Sequence, residues 1–148
     1  MKYFKIIACA LVVSLSVNGC DKEELLPPNH AKGKIIKVTG GCYGEIVLIE
    51  VENPKGLGSE GTFATIGEVD KRISYSNAIG VPYFSKTGIP VSVPQTVGTW
   101  LYFEFRELTE TEKQNGNLFS PNPLPICQMN IIPPSVNRLI ITNIISYK

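Results

Sequence analysis

Residues 97–108, VGTWLYFEFREL, contain the clearest β-strand pattern in the chain. Successive side chains of a strand point to opposite faces, so alternate residues share one face. One face of this strand is apolar and is predicted to join the core: Leu101, Phe103 and Phe105. The other face mixes aromatic and charged side chains and is predicted to meet water at Glu104 and Arg106, with Trp100 and Tyr102 at its margin.

Shorter β-branched runs separated by turn residues occur on both sides of this strand. The 11 prolines and 13 glycines are dispersed, which indicates many turns and short elements. Residues 70–96 contain three prolines and are predicted to be irregular chain with edge strands. Thr109 and Glu112 have the spacing of a capping box, which predicts a short helix over 110–115 that ends at Gly116. The other predicted strands cover 34–38, 45–52, 62–69, 126–132 and 139–147.

Six to eight short strands with almost no helix predict an all-β domain. The last strand carries apolar residues on both faces, as expected for a strand that is covered on both sides. Closure into a barrel is the arrangement that removes exposed strand edges. We therefore predict a small Greek-key barrel of the oligonucleotide/oligosaccharide-binding type, with a two-sheet β-sandwich as the alternative.

The N-terminus has the features of an export signal. Lys2 and Lys5 precede an apolar run over 6–17, which is too short to span a bilayer. The run ends at Gly19, and Cys20 follows. This ending resembles the bacterial lipoprotein signal, with Val17 and Asn18 departing from its usual residues. The resemblance implies cleavage before Cys20 and lipidation of that cysteine, and several acyl chains would hold the protein stably in a membrane.

The residues after Cys20 predict a tether and a destination. Lys22-Glu23-Glu24 resembles the signal that sends lipoproteins of Bacteroidetes to the outer face of the outer membrane; an ordinary solvated tether is the alternative, with retention on the periplasmic face. The layout of 33–148 also resembles small uncharacterised lipoproteins of Bacteroidetes, through Gly33-Lys34-Ile35-Ile36, Gly41-Cys42, Phe105-Arg106 and Cys127. The predicted organisation is a signal peptide over 1–19, a lipidated tether over 20–32 and a barrel domain over 33–148.

Four cysteines are present. Cys9 lies in the predicted signal and Cys20 is predicted to carry lipid, which leaves Cys42 and Cys127 in an oxidising compartment. Such a pair is predicted to form a disulfide, which stabilises the fold by about 4–5 kcal/mol in the chain-entropy model. Two buried thiols or half of a metal site are the alternatives.

Charge and residue inventory exclude most chemistry. Removal of residues 1–19 changes the net charge from +1 to −1, so no basic stripe remains for nucleic acid. The single histidine, His30, falls in the predicted tether, away from any nucleophile. Ligands for a metal are absent or committed elsewhere, and no cofactor motif is present. Paired glutamates remain for a glycan-active enzyme, from this set: Glu45, Glu50, Glu52, Glu68, Glu104 and Glu107.

The pattern that remains favours binding without catalysis. Aromatic rings stack on sugars and dominate protein interfaces, and the candidate ligand-binding surface comprises Trp100, Tyr102 and Tyr43. We expect a lipid-anchored cell-envelope protein that binds a protein partner or a glycan. An inhibitor of a foreign hydrolase is an alternative, using a loop such as 53–61 or 117–125. An enzyme with paired glutamates is the third and least favoured hypothesis.

Overall fold

The computed structural model describes residues 24–64, 72–120 and 134–148, without the side chains of Tyr43 and Ala64. Within these ranges the chain forms six strands, one short α-helix and three short 3₁₀ segments. The strands are β1 (His30–Val38), β2 (Ile46–Asn53), β3 (Ser59–Ala64), β4 (Arg72–Pro82), β5 (Trp100–Glu107) and β6 (Asn137–Tyr147), and the helix is α1 (Glu110–Asn115).

Five of the six strands close into a barrel. Strand β1 pairs antiparallel with β2 and β5, β2 also pairs with β4, and β5 also pairs with β6. A parallel pairing of β4 with β6 completes the ring. The remaining strand, β3, lies outside it and pairs with β4. This all-β architecture confirms the small barrel of the oligonucleotide/oligosaccharide-binding type.

The barrel interior is filled by the inward-facing side chains of all five strands. Ile35 of β1, Ile49 of β2 and Phe103 of β5 are fully buried there. Leu101 joins the same core, as predicted from the alternation in β5, while Phe105 is partly buried against it. Burial of each large apolar side chain contributes about 1.5–3 kcal/mol relative to exposure.

A second apolar cluster covers part of the outside of the barrel. Ile46 and Leu48 are fully buried there, although Glu50 and Glu52 follow them at alternate positions of β2. Buried side chains from several elements contribute to this surface, which we call the covered face: Ile46, Leu48, Phe63, Tyr75, Ala78, Leu108, Phe119 and Ile140. It includes part of the outer sides of β2 and β4, the second and third strands of the barrel, where this type of barrel usually binds its ligands.

Helix α1 has the predicted bounds because its signals are local. The Thr109 side chain accepts a hydrogen bond from the Glu112 backbone N–H, and the Glu112 carboxylate accepts one from the Thr109 backbone N–H. Gly116 ends the helix in the left-handed conformation, which glycine adopts without a steric cost. The capping box thus fixes the start of the helix at Thr109, and Gly116 fixes its end.

Several parts of the observed fold differ from the sequence prediction. Strand β6 is buried only from Leu139 to Ile141 and is largely exposed elsewhere, whereas a strand covered on both sides was expected. Residues 72–82 form β4, a barrel strand that is buried from Asn77 to Pro82, whereas irregular chain and edge strands were expected over 70–96. That expectation was wrong for β4 because its one proline is the last residue of the strand. Strand β1 begins at His30, three residues before the predicted domain start at Gly33. The predicted strand over 126–132 lies outside the described residues.

Candidate functional site

The outer sides of β5 and of the first part of β1 form a surface that the second cluster does not cover; further along β1, Ile36 packs against that cluster. Lys32 lies opposite Tyr102 and Lys34 lies opposite Trp100 in the antiparallel register. Their neighbours on β1, Ala31 and Ile35, point into the barrel and are fully buried. We call this surface the open face, and define it by the side chains of His30, Lys32, Lys34, Trp100, Tyr102 and Glu104.

Each aromatic ring of the open face contacts a cation from β1. The Lys34 ammonium lies 5.4 Å from the centre of the Trp100 ring, and the Lys32 ammonium lies 5.2 Å from that of Tyr102. These distances are in the range of cation–π attraction. The rings of Tyr102 and His30 are 5.8 Å apart, and His30 Nε2 is 3.4 Å from Glu104 Oε1. The predicted aromatic pair is therefore half-buried beneath charged groups.

Trp100 forms a wall shared by two depressions. The first depression, of about 400 Å³, is bounded on its charged side by Glu24, Lys32 and Glu52, and also contains Tyr102 and Lys148. The second depression, of about 460 Å³, includes the following side chains: Lys34, Glu50, Glu52, Lys55, Ser76 and Trp100. Both volumes fall in the range of small-molecule sites. Trp100 and Glu52 border both depressions.

The segment before β1 forms one side of the first depression. The Glu24 carboxylate accepts from the Lys32 ammonium at 2.5 Å, and the Glu24 carbonyl accepts from the Asn53 side-chain amide at 2.5 Å. The Phe105 N–H donates to the Asn29 carbonyl at 2.8 Å. Residues 24–29, predicted to be part of a tether, are thus fastened to β1, β2 and β5.

Charged groups of both signs border the two depressions, which together contain four lysines and three glutamates because Glu52 is shared. Each depression is bordered by two lysines and two glutamates. One glutamate of the second depression, Glu50, accepts a hydrogen bond from the Ser76 N–H at 3.3 Å. The surface therefore offers both donors and acceptors, and neither sign of charge is in excess within either depression.

The other predicted site residues are distributed differently. Tyr43 lies in a 3₁₀ segment between β1 and β2, and its side chain is outside the described set. Cys42, in the same segment, is disulfide-bonded. Its predicted partner Cys127 and the predicted lipidation site Cys20 both lie outside the described residues, so pairing with Cys127 and lipidation remain predictions.

The candidate glutamates do not form one group. Glu50 and Glu52 border the second depression, whereas Glu104 pairs with His30. Glu45 lies elsewhere and binds the Lys86 ammonium at 2.5 Å, and burial together with the Glu45 charge raises the pKa of Tyr83. Glu107 is exposed, and Glu68 is outside the described residues.

One loop proposed for the inhibitor hypothesis is held firmly. The buried Asn77 amide donates to the carbonyls of Val51 at 2.8 Å and Pro54 at 3.0 Å, and its oxygen accepts from the Gly58 N–H at 2.6 Å. These bonds fix both ends of the loop between β2 and β3. In the other loop, 117–119 form a 3₁₀ segment, and 121–125 lie outside the described residues.

Sequence reasoning found the two rings but missed the charged residues around them. Lys32 and Lys34 flank Gly33 in a strand, and this alternation places both ammonium groups on the face opposite Ala31 and Ile35. Their pairing with Trp100 and Tyr102 depends on the β1–β5 register, which joins residues nearly 70 positions apart. Glu24 joins the site only because its segment folds back, and no local signal predicts that contact.

No protein-family model matches the chain, and no curated protein is significantly similar to it. Among the described residues, no helix combines the length and apolar character needed to cross a membrane. The same residues contain no group of three or more histidine, cysteine or acidic side chains placed to hold a metal ion.

Proposed function

We propose that this protein is a lipid-anchored cell-envelope binding protein that has no catalytic activity of its own and binds a protein partner or a glycan through the open face. The observation that carries this proposal is the position of Trp100 between two depressions, with Tyr102 beside it. A half-buried aromatic ring between concave surfaces can supply a large contact area at a low cost in side-chain entropy.

The covered face supports the choice of the open face. Part of the outer sides of β2 and β4 is filled by Leu48, Ala78 and the side chains packed on them, so a ligand on that part would have to displace a core. The rest of these sides, at Glu50, Glu52 and Ser76, borders the second depression. The open face has no comparable apolar layer among the described residues. Its aromatic groups remain at the surface beneath lysine side chains, whose charged ends stay in contact with water.

The proposed attachment to the cell envelope depends on lipidation of Cys20. Metabolic labelling with a radioactive or clickable fatty acid is expected to label the wild-type protein and not the Cys20→Ala variant, which should also leave the membrane fraction. Protease shaving of intact cells then separates the outer surface from the periplasmic face. Equal labelling of both proteins would contradict a lipid anchor at Cys20.

The binding test is a cross-linked pull-down from intact cells. We expect partners captured by the wild-type protein to be lost with the Trp100→Ala/Tyr102→Ala variant and retained with Val91→Ser. Val91 is 97% exposed and lies outside both depressions, so its substitution controls for a general change of surface. Retention of every partner by the double variant would contradict binding at the open face.

Lack of catalysis is tested on the same surface. Glu50 and Glu52 border the second depression together, and Glu24, the other glutamate of the first depression, is paired with Lys32, so Glu50 and Glu52 are the ones to examine for hydrolysis. We expect a glycan bound by the protein to be recovered intact after long incubation. Hydrolysis that disappears in Glu50→Gln or Glu52→Gln would instead establish a glycan-active enzyme.

Inhibition of a foreign hydrolase is a second candidate, supported by the Asn77 contacts. A loop held by three hydrogen bonds at its ends loses little conformational entropy on entering a cleft. Under this hypothesis, Lys55→Ala should weaken inhibition while Trp100→Ala leaves it unchanged. Screening secreted hydrolases with these two variants distinguishes the two candidate functions.

A further inference from the structure

We propose that the two depressions bind neighbouring units of one uncharged oligosaccharide, which crosses Trp100 and is held there by Glu52. This inference rests on the proposed function, because it names the class of ligand for the open face. It draws on three observations: the balance of charge, the residues shared by the depressions, and the aromatic side chains between them.

The charge balance favours an uncharged ligand. An anion in either depression would approach two glutamates, and a cation would approach two lysines. A sugar hydroxyl both donates and accepts hydrogen bonds, so it can use lysine ammonium and glutamate carboxylate groups side by side. The lysines of β1 beside the glutamates of β2, Lys32 and Lys34 next to Glu50 and Glu52, therefore suit a polyhydroxylated ligand without net charge.

Glu52 is the residue placed to hold two units at once. It is exposed and borders both depressions next to Trp100. By contrast, Glu24 binds Lys32, and Glu50 accepts from Ser76. A carboxylate has two oxygen atoms and can accept hydroxyl groups from adjacent sugar units, in bonds that are stronger than those between neutral groups.

Trp100 and Tyr102 supply the apolar part of the contact. Sugar rings have an apolar face formed by their C–H groups, and aromatic side chains pack against such faces. The Lys34 side chain is long and flexible, so its ammonium group can move off the Trp100 ring and donate to a hydroxyl group at the sugar edge, whereas Lys32 stays paired with Glu24 beside Tyr102. Glu24, fastened to Lys32, bounds the ligand at the end of the first depression.

The first test is calorimetric titration of the full-length protein in detergent with uncharged oligosaccharides and with anionic probes. The uncharged probes are glucose-, mannose- and N-acetylglucosamine-based chains of increasing length, and the anionic probes are a heparin fragment and oligo-dT. We expect an uncharged chain to bind, with affinity that rises as the chain becomes long enough to occupy both depressions. Affinity should change by less than about twofold between about 0.1 M and 1 M salt, because screening acts on charged partners.

Variants assign the binding to this surface. Glu52→Gln is expected to weaken binding about tenfold or more, since it removes a charged acceptor while keeping the size of the side chain. Glu60→Gln is the matched control, because Glu60 is exposed on β3 and outside both depressions, and it should bind like the wild-type protein. Thermal unfolding of both variants checks that the fold is retained.

The outcomes separate the ligand class from the proposed function. Tighter, salt-sensitive binding of an anionic probe would overturn the assignment of an uncharged ligand, as would equal affinities of Glu52→Gln and Glu60→Gln. No binding of any uncharged chain, together with Trp100-dependent capture of a protein in the pull-down, would overturn the glycan assignment and leave the proposed function intact. If the protein binds no uncharged glycan and captures no protein in a Trp100-dependent manner, both the glycan assignment and the proposed function are contradicted.

Discussion

The covered face and the open face lie on the same barrel, and both are built from alternating strand residues. The covered face places Ile46 and Leu48 beneath further apolar side chains, so it adds a second core. The open face places lysines above Trp100 and Tyr102, so its aromatic groups remain accessible to a ligand. Stability and binding are therefore assigned to different parts of the barrel surface, and substitutions should separate them.

The largest expected effect is on the covered face. Leu48→Ala removes a fully buried side chain and leaves a cavity, which should lower the free energy of unfolding by about 2–5 kcal/mol. Urea denaturation measures this loss. Ile145→Ala is the control, since Ile145 is 43% exposed and its truncation should cost less than about 1 kcal/mol. The folded Leu48→Ala protein should bind its ligand as the wild type does; weakened binding would show that the faces are coupled.

The next effect is expected at the loop beside the open face. Asn77→Ala removes three hydrogen bonds and leaves the Val51 carbonyl without its side-chain donor, which should cost about 1–3 kcal/mol. Hydrogen exchange of the Gly58 amide should accelerate together with the loss of stability. If exchange at Gly58 stays as slow as in the wild type, Asn77 does not hold the loop.

A smaller effect is expected on the open face itself. Lys34→Ala removes the cation above Trp100, and such an exposed cation–π contact contributes about 0.5–1 kcal/mol to stability. Chemical denaturation of Lys34→Ala is compared with that of Lys86→Ala. Lys86 binds Glu45 and two backbone carbonyls, so Lys86→Ala should lower the free energy of unfolding more than Lys34→Ala does. A larger loss at Lys34 than at Lys86 would assign the open face a structural role.

The smallest effect should come from the partly buried ion pair between Arg106 and Glu112 at α1. Hydrogen bonds from Arg106, then from the Thr109 backbone, lower the pKa of Glu112 to about 2. Because the pKa is lower in the folded state, the contribution is complete above about pH 4.5 and is lost as the pH falls toward 2. The melting temperature of the wild type should therefore drop more over this interval than that of Glu112→Gln. Melting temperatures of the wild type and Glu112→Gln that fall in parallel with pH would show that the Glu112 carboxylate does not contribute to stability in this way.

The sequence predicted those features that depend on neighbouring residues. The α1 bounds follow from Thr109, Glu112 and Gly116, and the inward positions of Leu101 and Phe103 follow from alternation. The fold class followed from the number of short strands. The three prolines of 70–96 predict irregular chain where β4 forms, and only Pro82 belongs to that strand, at its last position.

The features that the sequence did not predict depend on distant contacts. Ile46 and Leu48 share a strand face with Glu50 and Glu52, and this mixture indicated a face that is partly exposed to solvent. The burial of Ile46 and Leu48 depends on Phe63, Phe119 and other residues far along the chain. The two depressions similarly require β1, β2 and β5 to meet in one register. Trp100 and Tyr102 could thus be selected as a pair, but their charged surroundings could not.

Trp100 is the only tryptophan of the chain, and this has a spectroscopic consequence. Its indole is half-buried between β1 and β5, close to the Lys34 ammonium, and polar or charged neighbours shift and quench indole emission. Intrinsic fluorescence therefore reports from a single known position. The same emission band would follow the meeting of β1 with β5 during refolding and the arrival of a ligand at the native protein, without any added label.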